Sequence, residues 1–441
     1  MKKILVLGAG LSSPALIRYL LQHAAEENWN VTVADQSPAL AKKRIKRSRH
    51  ASATGFSAED QTTRKQLIAA HDLVISLLPP ALHTLIAEDC IACGKHLITA
   101  SYISAGMQQL DNAARKAGVL LLNECGLDPG IDHMSAMQLM DDIRSKSGKI
   151  TSFKSFCGGL VSPEFDTNPW NYKFTWNPRN VILAGNATAT YTENKRIRFI
   201  PYNRIFLQTE DVKVKGYGTF EAYANRDSNS YIKPYGLTSA STVLRGTLRR
   251  KGFCESWDHL IQLGLTDDTL IIQSSEHITW RELTEALLPP GTNSTEKKLC
   301  HLLGITPSGK AFKKLQWLGI LSNEPVAIPR ATPAAALQHL LQRKWKLEEG
   351  ELDMIVMQHQ ISYTLKGKSH QIKSSLVVKG EDETYTAMSK TVGLPMAICA
   401  KLILKGAIRQ YGVHMPTMAD IYKPVLDELD QMGISFFEEK A

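Results

Sequence analysis

No run of about 18 consecutive apolar residues occurs in the 441-residue sequence, so no membrane-spanning helix is expected. Internal repeats and low-complexity linkers are missing as well, which excludes solenoids and repeat arrays. The 29 glycines and 19 prolines are too few for a collagen-like or disordered chain. Ahead of the first apolar run stand only Lys2 and Lys3, and that run ends at Gly8, too early for a secretory signal. Glu438-Glu439-Lys440-Ala441 offers no lipidation box. Cysteine is scarce too: seven residues, at 90, 93, 125, 157, 254, 300 and 399. An odd, scattered set gives no disulfide framework, and without an export signal the reducing cytosol is the expected compartment. Cys90-Ile91-Ala92-Cys93 has CxxC spacing without a second pair or a nearby His, so it reads as structural. No His/Cys/Asp cluster has metal-ligand spacing, and no metal is expected. The sequons at Asn186 and Asn293 carry no meaning in a cytosolic chain.

What is present is a globular composition, 43% hydrophobic and 22% charged, long enough for two to four domains at roughly 100–200 residues each. The 52 Lys and Arg exceed the 43 Asp and Glu, a net +9 that fits nucleic acid, an anionic surface or acidic small substrates. No helix-turn-helix, RNP or zinc pattern accompanies the charge, so neither nucleic acid nor membrane is the expected partner.

Lys3-Ile4-Leu5-Val6-Leu7 reads as a buried parallel strand. Gly8-Ala9-Gly10-Leu11-Ser12-Ser13-Pro14 follows, then an apolar-periodic helix. Gly8 permits a tight turn, and Gly10 lets a pyrophosphate approach the backbone N–H groups at the helix start. Ser12 or Ser13 can cap that helix, and Ser13 replaces the third glycine of the GxGxxG pattern. A second strand, Val31-Thr32-Val33-Ala34-Asp35, ends in a carboxylate suited to the adenosine ribose. Asp35 repels a 2′-phosphate and favours NAD over NADP. Against it stands the run from Lys42 to Arg49, with six cations in eight residues, read as a solvated helix face or a cationic rim that tolerates a phosphate.

Further strands at 72–78, 96–101 and 118–123 alternate with helical patterns at 82–93 and 104–116. The fold class is α/β: a Rossmann-type doubly wound parallel sheet, with ligands outside the strands' C-terminal ends. Ser76-Leu77, Ser101-Tyr102 and the loop Asn123 to Gly130 occupy those ends.

Asn123-Glu124-Cys125-Gly126-Leu127-Asp128-Pro129-Gly130-Ile131-Asp132-His133 resembles the matching loop of the saccharopine dehydrogenase family, the L-glutamate-forming enzymes also called saccharopine reductases. Ala100 to Ser104, Cys157-Gly158-Gly159-Leu160, Asn168-Pro169 with Tyr172 to Trp176, Ala224 to Ser228, Leu244 to Arg249 and Thr391 to Pro395 match in the same order. The resemblance implies a dinucleotide domain over 1–130 completed by 385–441. It also implies an α+β substrate domain with a mixed sheet over 131–255 and 346–384, and a helical insertion over 256–345. The sequence agrees: 131–146 is helical in pattern, 150–157, 181–185 and 212–224 read as strands, and 353–363 with 370–378 form a hairpin. Thr386 to Lys405 looks like the family's helix returning to the dinucleotide domain, with Gly393-Leu394-Pro395 expected to bend or loosen it.

The family reaction oxidises saccharopine with NAD or NADP, and the imine is hydrolysed to glutamate and 2-aminoadipate 6-semialdehyde. By resemblance Tyr102, Asp128 and Cys157 stand near the reacting centre. Ser101, Arg226, Thr247 and Arg249 contact substrate, with Arg245 a lesser candidate, since arginine forks suit carboxylates. Gly8, Gly10, Leu11, Ser12, Asp35, Ser76, Leu77, Leu127, Asp128 and Trp176 face the cofactor. Asp128, in an apolar turn, either titrates near neutrality or stays ionised and holds the substrate ammonium; the second role is favoured. His133 is read as a capping or packing residue. Lysine 6-dehydrogenase and carboxynorspermidine- or homospermidine-forming enzymes are the rival enzymes, and a non-catalytic NAD-sensing or nucleic-acid-binding protein is the distant one. A homodimer is the expected assembly.

Overall fold

The structure, a computed structural model, describes residues 1–184 and 188–440, so the sequon at Asn186 lies outside the described residues. The chain forms two compact units: Met1–Ile150 with Tyr363–His370 and Leu376–Glu438, and Thr151–Ser362 with Gln371–Ser375 and Glu439–Ala441.

The first unit is built on β1 (Lys2–Leu7), β2 (Trp29–Asp35), β3 (Ala51–Gly55), β4 (Leu73–Ser76), β5 (His96–Thr99) and β6 (Leu120–Leu122). A late strand, Gly412–His414, adds itself beside β6. The order across the sheet is β3-β2-β1-β4-β5-β6 and then the late strand, and every pairing is parallel. Strand order reverses between β1 and β4, so the ligand crevice lies outside their C-terminal ends. The apolar run Ile4–Leu7 is fully buried, as a strand covered on both faces must be.

The helix Pro14–His23 after β1 begins at Ser13, whose hydroxyl donates to the Gly10 carbonyl (2.9 Å) and gives the helix no side-chain cap. The expected serine cap is thereby corrected. The free helix N–H of Ala15 instead donates to Ser389 Oγ at 3.0 Å, a residue 374 positions away. Ser389 lies in the helix Ala387–Leu404, which continues through Gly393 and Pro395 although proline has no N–H to donate to the preceding turn. Glycine at 393 allows the helices to touch, since a Cβ there would stand 2.8 Å from the Leu16 nitrogen. By length and hydropathy Ala387–Leu404 reaches the threshold of a membrane span, and 72% of it is buried inside the protein.

The helix Ile131–Ser145 packs within the first compact unit, whose first segment ends at Ile150. Its contact with the helix Ala419–Gln431, where Tyr422 Oη donates to Asp141 at 2.8 Å, holds it there.

The second sheet, most of which lies in the second unit, contains β7 (Lys149–Val161), β8 (Ala189–Glu193), β9 (Arg196–Ile200), β10 (Thr209–Val214), β11 (Gly218–Ala224), β12 (Thr242–Arg250), β13 (Asp353–Leu365) and β14 (Lys368–Lys379). Its path is β10-β11-β12-β7-β13-β14 and then a last strand, Phe436–Lys440, with β8 paired to β12 and β9 to β8. The expected hairpin forms around Lys366 and Gly367, both at positive φ as a two-residue turn requires. Residues 181–184 are not a strand: Pro178–Leu183 is a helix, started by Pro178 and by Asn177 accepting from the Arg179 N–H, and Gly185 lies outside the described residues. The span 212–224 is two antiparallel strands turning at Gly216. Helices fill most of 253–344, as expected for the insertion, and belong to this unit.

Candidate active site

In the first unit Gly8 takes φ +101°, and its position over Leu77 leaves a Cβ only 3.3 Å from the Leu77 carbonyl. Gly10 is different: a Cβ there would meet nothing within 4 Å, and Gly10 and Leu11 are exposed. The turn therefore leaves open room above its backbone, and the residues present fit a dinucleotide. Asp35 closes the turn from β2. Its Oδ2 accepts from the Ala9 N–H (2.7 Å) and its Oδ1 from the Ser37 N–H (2.8 Å), which fixes the carboxylate at the strand end. Arg44 also reaches the turn, donating from Nε to the Ala9 carbonyl at 3.0 Å, and burial lowers its pKa against the raising influence of Tyr385 and Asp35. The basic run is thus resolved: its helix ends at Ile45, Arg44 is half-buried against the turn, and Lys42, Lys43, Lys46, Arg47 and Arg49 are exposed.

Ser76 ends β4 opposite Leu7 of β1 and is fully buried. Its Oγ meets His83 Nδ1 at 3.1 Å, while His83 Nε2 lies 2.9 Å from Ser101 Oγ and 3.1 Å from Thr99 Oγ1. Burial drops the His83 pKa to about 4 and keeps the ring neutral. Tyr102, half-buried, donates from Oη to Asp128 Oδ1 across 3.5 Å. Asp128 itself is half-buried, in a tight loop that closes on itself: Gly126 N–H donates to Pro129 O (2.9 Å), and Gly130 at φ +148° packs on Gly126 with no space for a side chain. Glu124, 3% exposed, braces this loop by accepting from His133 Nε2 (2.8 Å) and the Ile103 N–H (3.0 Å). His133 is fully buried in that contact, a packing residue. Leu127 is buried beside Asp128.

In the second unit, strand alternation puts Arg245, Thr247 and Arg249 on one face of β12. Across β7, Ser155 stands opposite Arg245 and Cys157 opposite Thr247; across β11, Tyr223 stands opposite Thr247. Arg249 is 4% exposed, and among the described residues no carboxylate pairs with it. Its Nη1 donates to the Leu248 carbonyl (3.0 Å), and its Nε, like Tyr172 Oη, is buried without a hydrogen-bond partner. Aromatic rings of Tyr172, Phe253 and Tyr223 surround the guanidinium at 5.0, 5.3 and 5.9 Å. Burial lowers the Arg249 pKa, but Tyr223, Tyr172, Cys254 and Cys157 outweigh it and leave the value raised. A buried guanidinium with an idle donor is a carboxylate or other anion receptor. Arg245 is buried and stacks 4.3 Å over the Tyr231 ring, whereas Arg226 is exposed at φ +51°. Trp176 is half-buried, and Phe174 packs on Trp345 at 5.4 Å in the aromatic core.

Sequence reasoning passed over His83, Arg44 and the side chain of Tyr172. The only local signal for His83 is its place at the first turn of a helix that follows a strand end and two prolines.

Strand order, glycine turn and a carboxylate at the end of β2, together with a loop acid and a buried arginine, define a nicotinamide-dinucleotide-dependent oxidoreductase. Residues 4–122 match the family description "Saccharopine dehydrogenase NADP binding domain", and residues 126–434 match "Saccharopine dehydrogenase C-terminal domain". The saccharopine dehydrogenase [NADP(+), L-glutamate-forming] of Schizosaccharomyces pombe is 33% identical over 449 residues, covering 100% of this chain and 99% of that one. The alpha-aminoadipic semialdehyde synthase of Bos taurus is 35% identical over 457 residues, and the match spans 99% of this chain but 47% of that longer protein. The solved apo saccharopine dehydrogenase (L-Glu forming) from Saccharomyces cerevisiae superposes with a TM-score of 0.90 at 32% identity, with both chains covered completely. The chain belongs to the saccharopine dehydrogenase, L-glutamate-forming, family.

Proposed function

We propose that this chain oxidises saccharopine to L-glutamate and 2-aminoadipate 6-semialdehyde, and runs the reverse condensation. The observation that carries this reading is Arg249, a buried guanidinium with an idle Nε, no carboxylate partner among the described residues and an aromatic surround. It holds one substrate carboxylate, and Arg245 and Thr247 extend the same face of β12 for the remaining polar groups. Exposed Arg226 is assigned to a second carboxylate through the resemblance of its segment, Ala224 to Ser228, to the family. When bound, the dinucleotide supplies the two-electron acceptor. Asp128 stays ionised to hold the secondary ammonium, and Tyr102 Oη, 3.5 Å from it, orients that carboxylate. Cys157, opposite Thr247 in register, is the third group assigned to proton handling. Gly8, Gly10, Leu11, Ser12, Ser76 and Leu77 hold the dinucleotide at the strand ends, with Leu127 and Trp176 assigned to it through the resemblance of their segments to the family.

NAD is the cofactor this reading prefers. Asp35 is fixed by two backbone N–H groups, and a fixed carboxylate suits a ribose 2′-hydroxyl and repels a 2′-phosphate. NADP is the cofactor printed both in the family description that residues 4–122 match and in the relatives' names, and half-buried Arg44 offers a cation at the same turn. The seven thiols, none disulfide-bonded, suit a reducing cytoplasm. Exposed Ile197 and Phe199 on the outer strand β9 support a homodimer, which sedimentation velocity tests.

An assay with saccharopine that records NAD and NADP reduction side by side tests the whole reading. Reduction that needs saccharopine, faster with NAD, is expected. Oxidation of free lysine as readily as saccharopine would overturn the substrate, and a strong NADP preference would overturn the Asp35 argument.

A further inference from the structure

His83 joins two strand ends of the dinucleotide sheet through both ring nitrogens. It opens the helix His83–Cys93, and its ring, 4% exposed, lies beneath the C-terminal ends of β4 and β5. Nδ1 meets Ser76 Oγ at 3.1 Å, at the last residue of β4. Nε2 meets Thr99 Oγ1 at 3.1 Å, at the last residue of β5, and Ser101 Oγ at 2.9 Å, two residues beyond. Ser101 is further tied by its N–H to Thr99 Oγ1 (3.3 Å), and the next residue is Tyr102, whose Oη reaches Asp128. Ser76 stands in register opposite Leu7, the residue before Gly8.

We propose that His83 is a positioning residue: its ring sets the spacing between the cofactor rim at Ser76 and the segment Ser101-Tyr102 that carries the phenol facing Asp128. This rests on the saccharopine reading above. The chemistry of the ring is what the place demands. A flat, rigid spacer with a polar atom on each of two opposite edges can hold two hydroxyls at a fixed separation, and a neutral imidazole does so with one donor and one acceptor. Burial disfavours the charged form, so the bridge keeps that donor–acceptor pair at neutral pH. The partners of the ring are the hydroxyls of Ser76, Thr99 and Ser101, and His83 serves no proton-transfer role of its own. It acts through Ser101.

Two substitutions separate the arms of the bridge. The amide of Asn occupies the place of Nδ1, so His83→Asn retains the Ser76 arm and loses the Ser101 arm. The amide of Gln occupies the place of Nε2, so His83→Gln retains the Ser101 arm. Steady-state kinetics with saccharopine are expected to show kcat down about 10- to 100-fold in His83→Asn, the scale of an ångström-sized misplacement. The KM for dinucleotide should change less than about threefold in that variant, and His83→Gln should restore most of kcat. Hydrogen–deuterium exchange of residues 100–104 in the folded, full-length variants, checked by thermal melts, should be faster in His83→Asn and near wild type in His83→Gln. Equal kcat and equal exchange in the two variants would overturn the proposal. If the wild type fails to oxidise saccharopine, the substrate reading falls, and the exchange difference alone still decides the role of His83.

Discussion

Replacing Arg249 by Met is expected to separate binding from stability. The guanidinium is 4% exposed, holds only the Leu248 carbonyl and leaves Nε idle. Among the described residues no carboxylate compensates the charge, so the free protein bears much of the desolvation cost of a buried cation. What remains in the free state is attraction to the rings of Tyr172, Phe253 and Tyr223, at 5.0 to 5.9 Å. Methionine fills similar volume without charge, so chemical denaturation should give a stability equal to the wild type or up to about 2 kcal/mol higher. Substrate binding should move the opposite way. A carboxylate held by two charge-assisted hydrogen bonds gains about 1.5–3 kcal/mol from each. Losing both costs about 3–6 kcal/mol, or roughly two to four orders of magnitude in kcat/KM for saccharopine at about 1.4 kcal/mol per decade. Dinucleotide affinity, followed by the fluorescence of the reduced cofactor, should stay near wild type. A variant that keeps wild-type kcat/KM, or that loses both stability and dinucleotide affinity, refutes the assignment of Arg249 as the carboxylate receptor.

Other perturbations read other joints of the molecule. Gly393→Ala puts a Cβ 2.8 Å from the Leu16 nitrogen; a loss of about 1–3 kcal/mol in thermal unfolding is expected, with weaker dinucleotide binding because Ser12 is displaced too. Gly246→Ala drives a Cβ to 2.7 Å from the Tyr223 carbonyl, between β11 and β12, and should cost about 1–3 kcal/mol and lower kcat/KM for saccharopine through misplacement of Thr247. Asp35→Ser removes the fixed carboxylate, and the NAD-to-NADP ratio of kcat/KM should fall about tenfold; an unchanged ratio speaks against selection by Asp35. His83 has a folded pKa of about 4 against 6.5 unfolded, so its contribution is present above pH 6.5 and lost as pH falls toward 4. Between pH 7 and pH 5 this linkage removes about 2 kcal/mol of stability, a slope that urea titrations should find in the wild type and not in His83→Gln.

The parts legible in the sequence were those with short-range signatures. Ile4–Leu7 is a strand because an uninterrupted apolar run before a glycine has one cheap arrangement, burial on both faces of a parallel sheet. Asp35 was readable as the acid that closes the second strand, and the 123–133 loop through its resemblance to the family. The unread parts depend on contacts that no local pattern encodes. The strand expected over 181–185 gave way to a helix whose Pro178 start outweighs the β-favouring Val181-Ile182.

Long-range partners hid the remaining determinants. The first helix of the dinucleotide fold receives its cap from Ser389 and its close neighbour from Gly393, so the geometry of Gly8 to Ser13 depends on residues almost four hundred positions later. The loop acid Asp128 is placed by a comparable device nearer in sequence: Glu124 bridges His133 and the Ile103 N–H, which ties the loop to the segment of Tyr102. A buried carboxylate so engaged cannot rotate to serve as a base, while half-buried Asp128 beyond it stays accessible to a substrate amine. The two acids of one loop thus divide their work by burial, the inner one building the turn and the outer one meeting the substrate. Glu124→Gln should therefore loosen the loop and lower kcat, whereas Asp128→Asn should raise KM for saccharopine with little change in thermal stability. If both variants raised KM equally without any change in stability, that division of labour would be wrong.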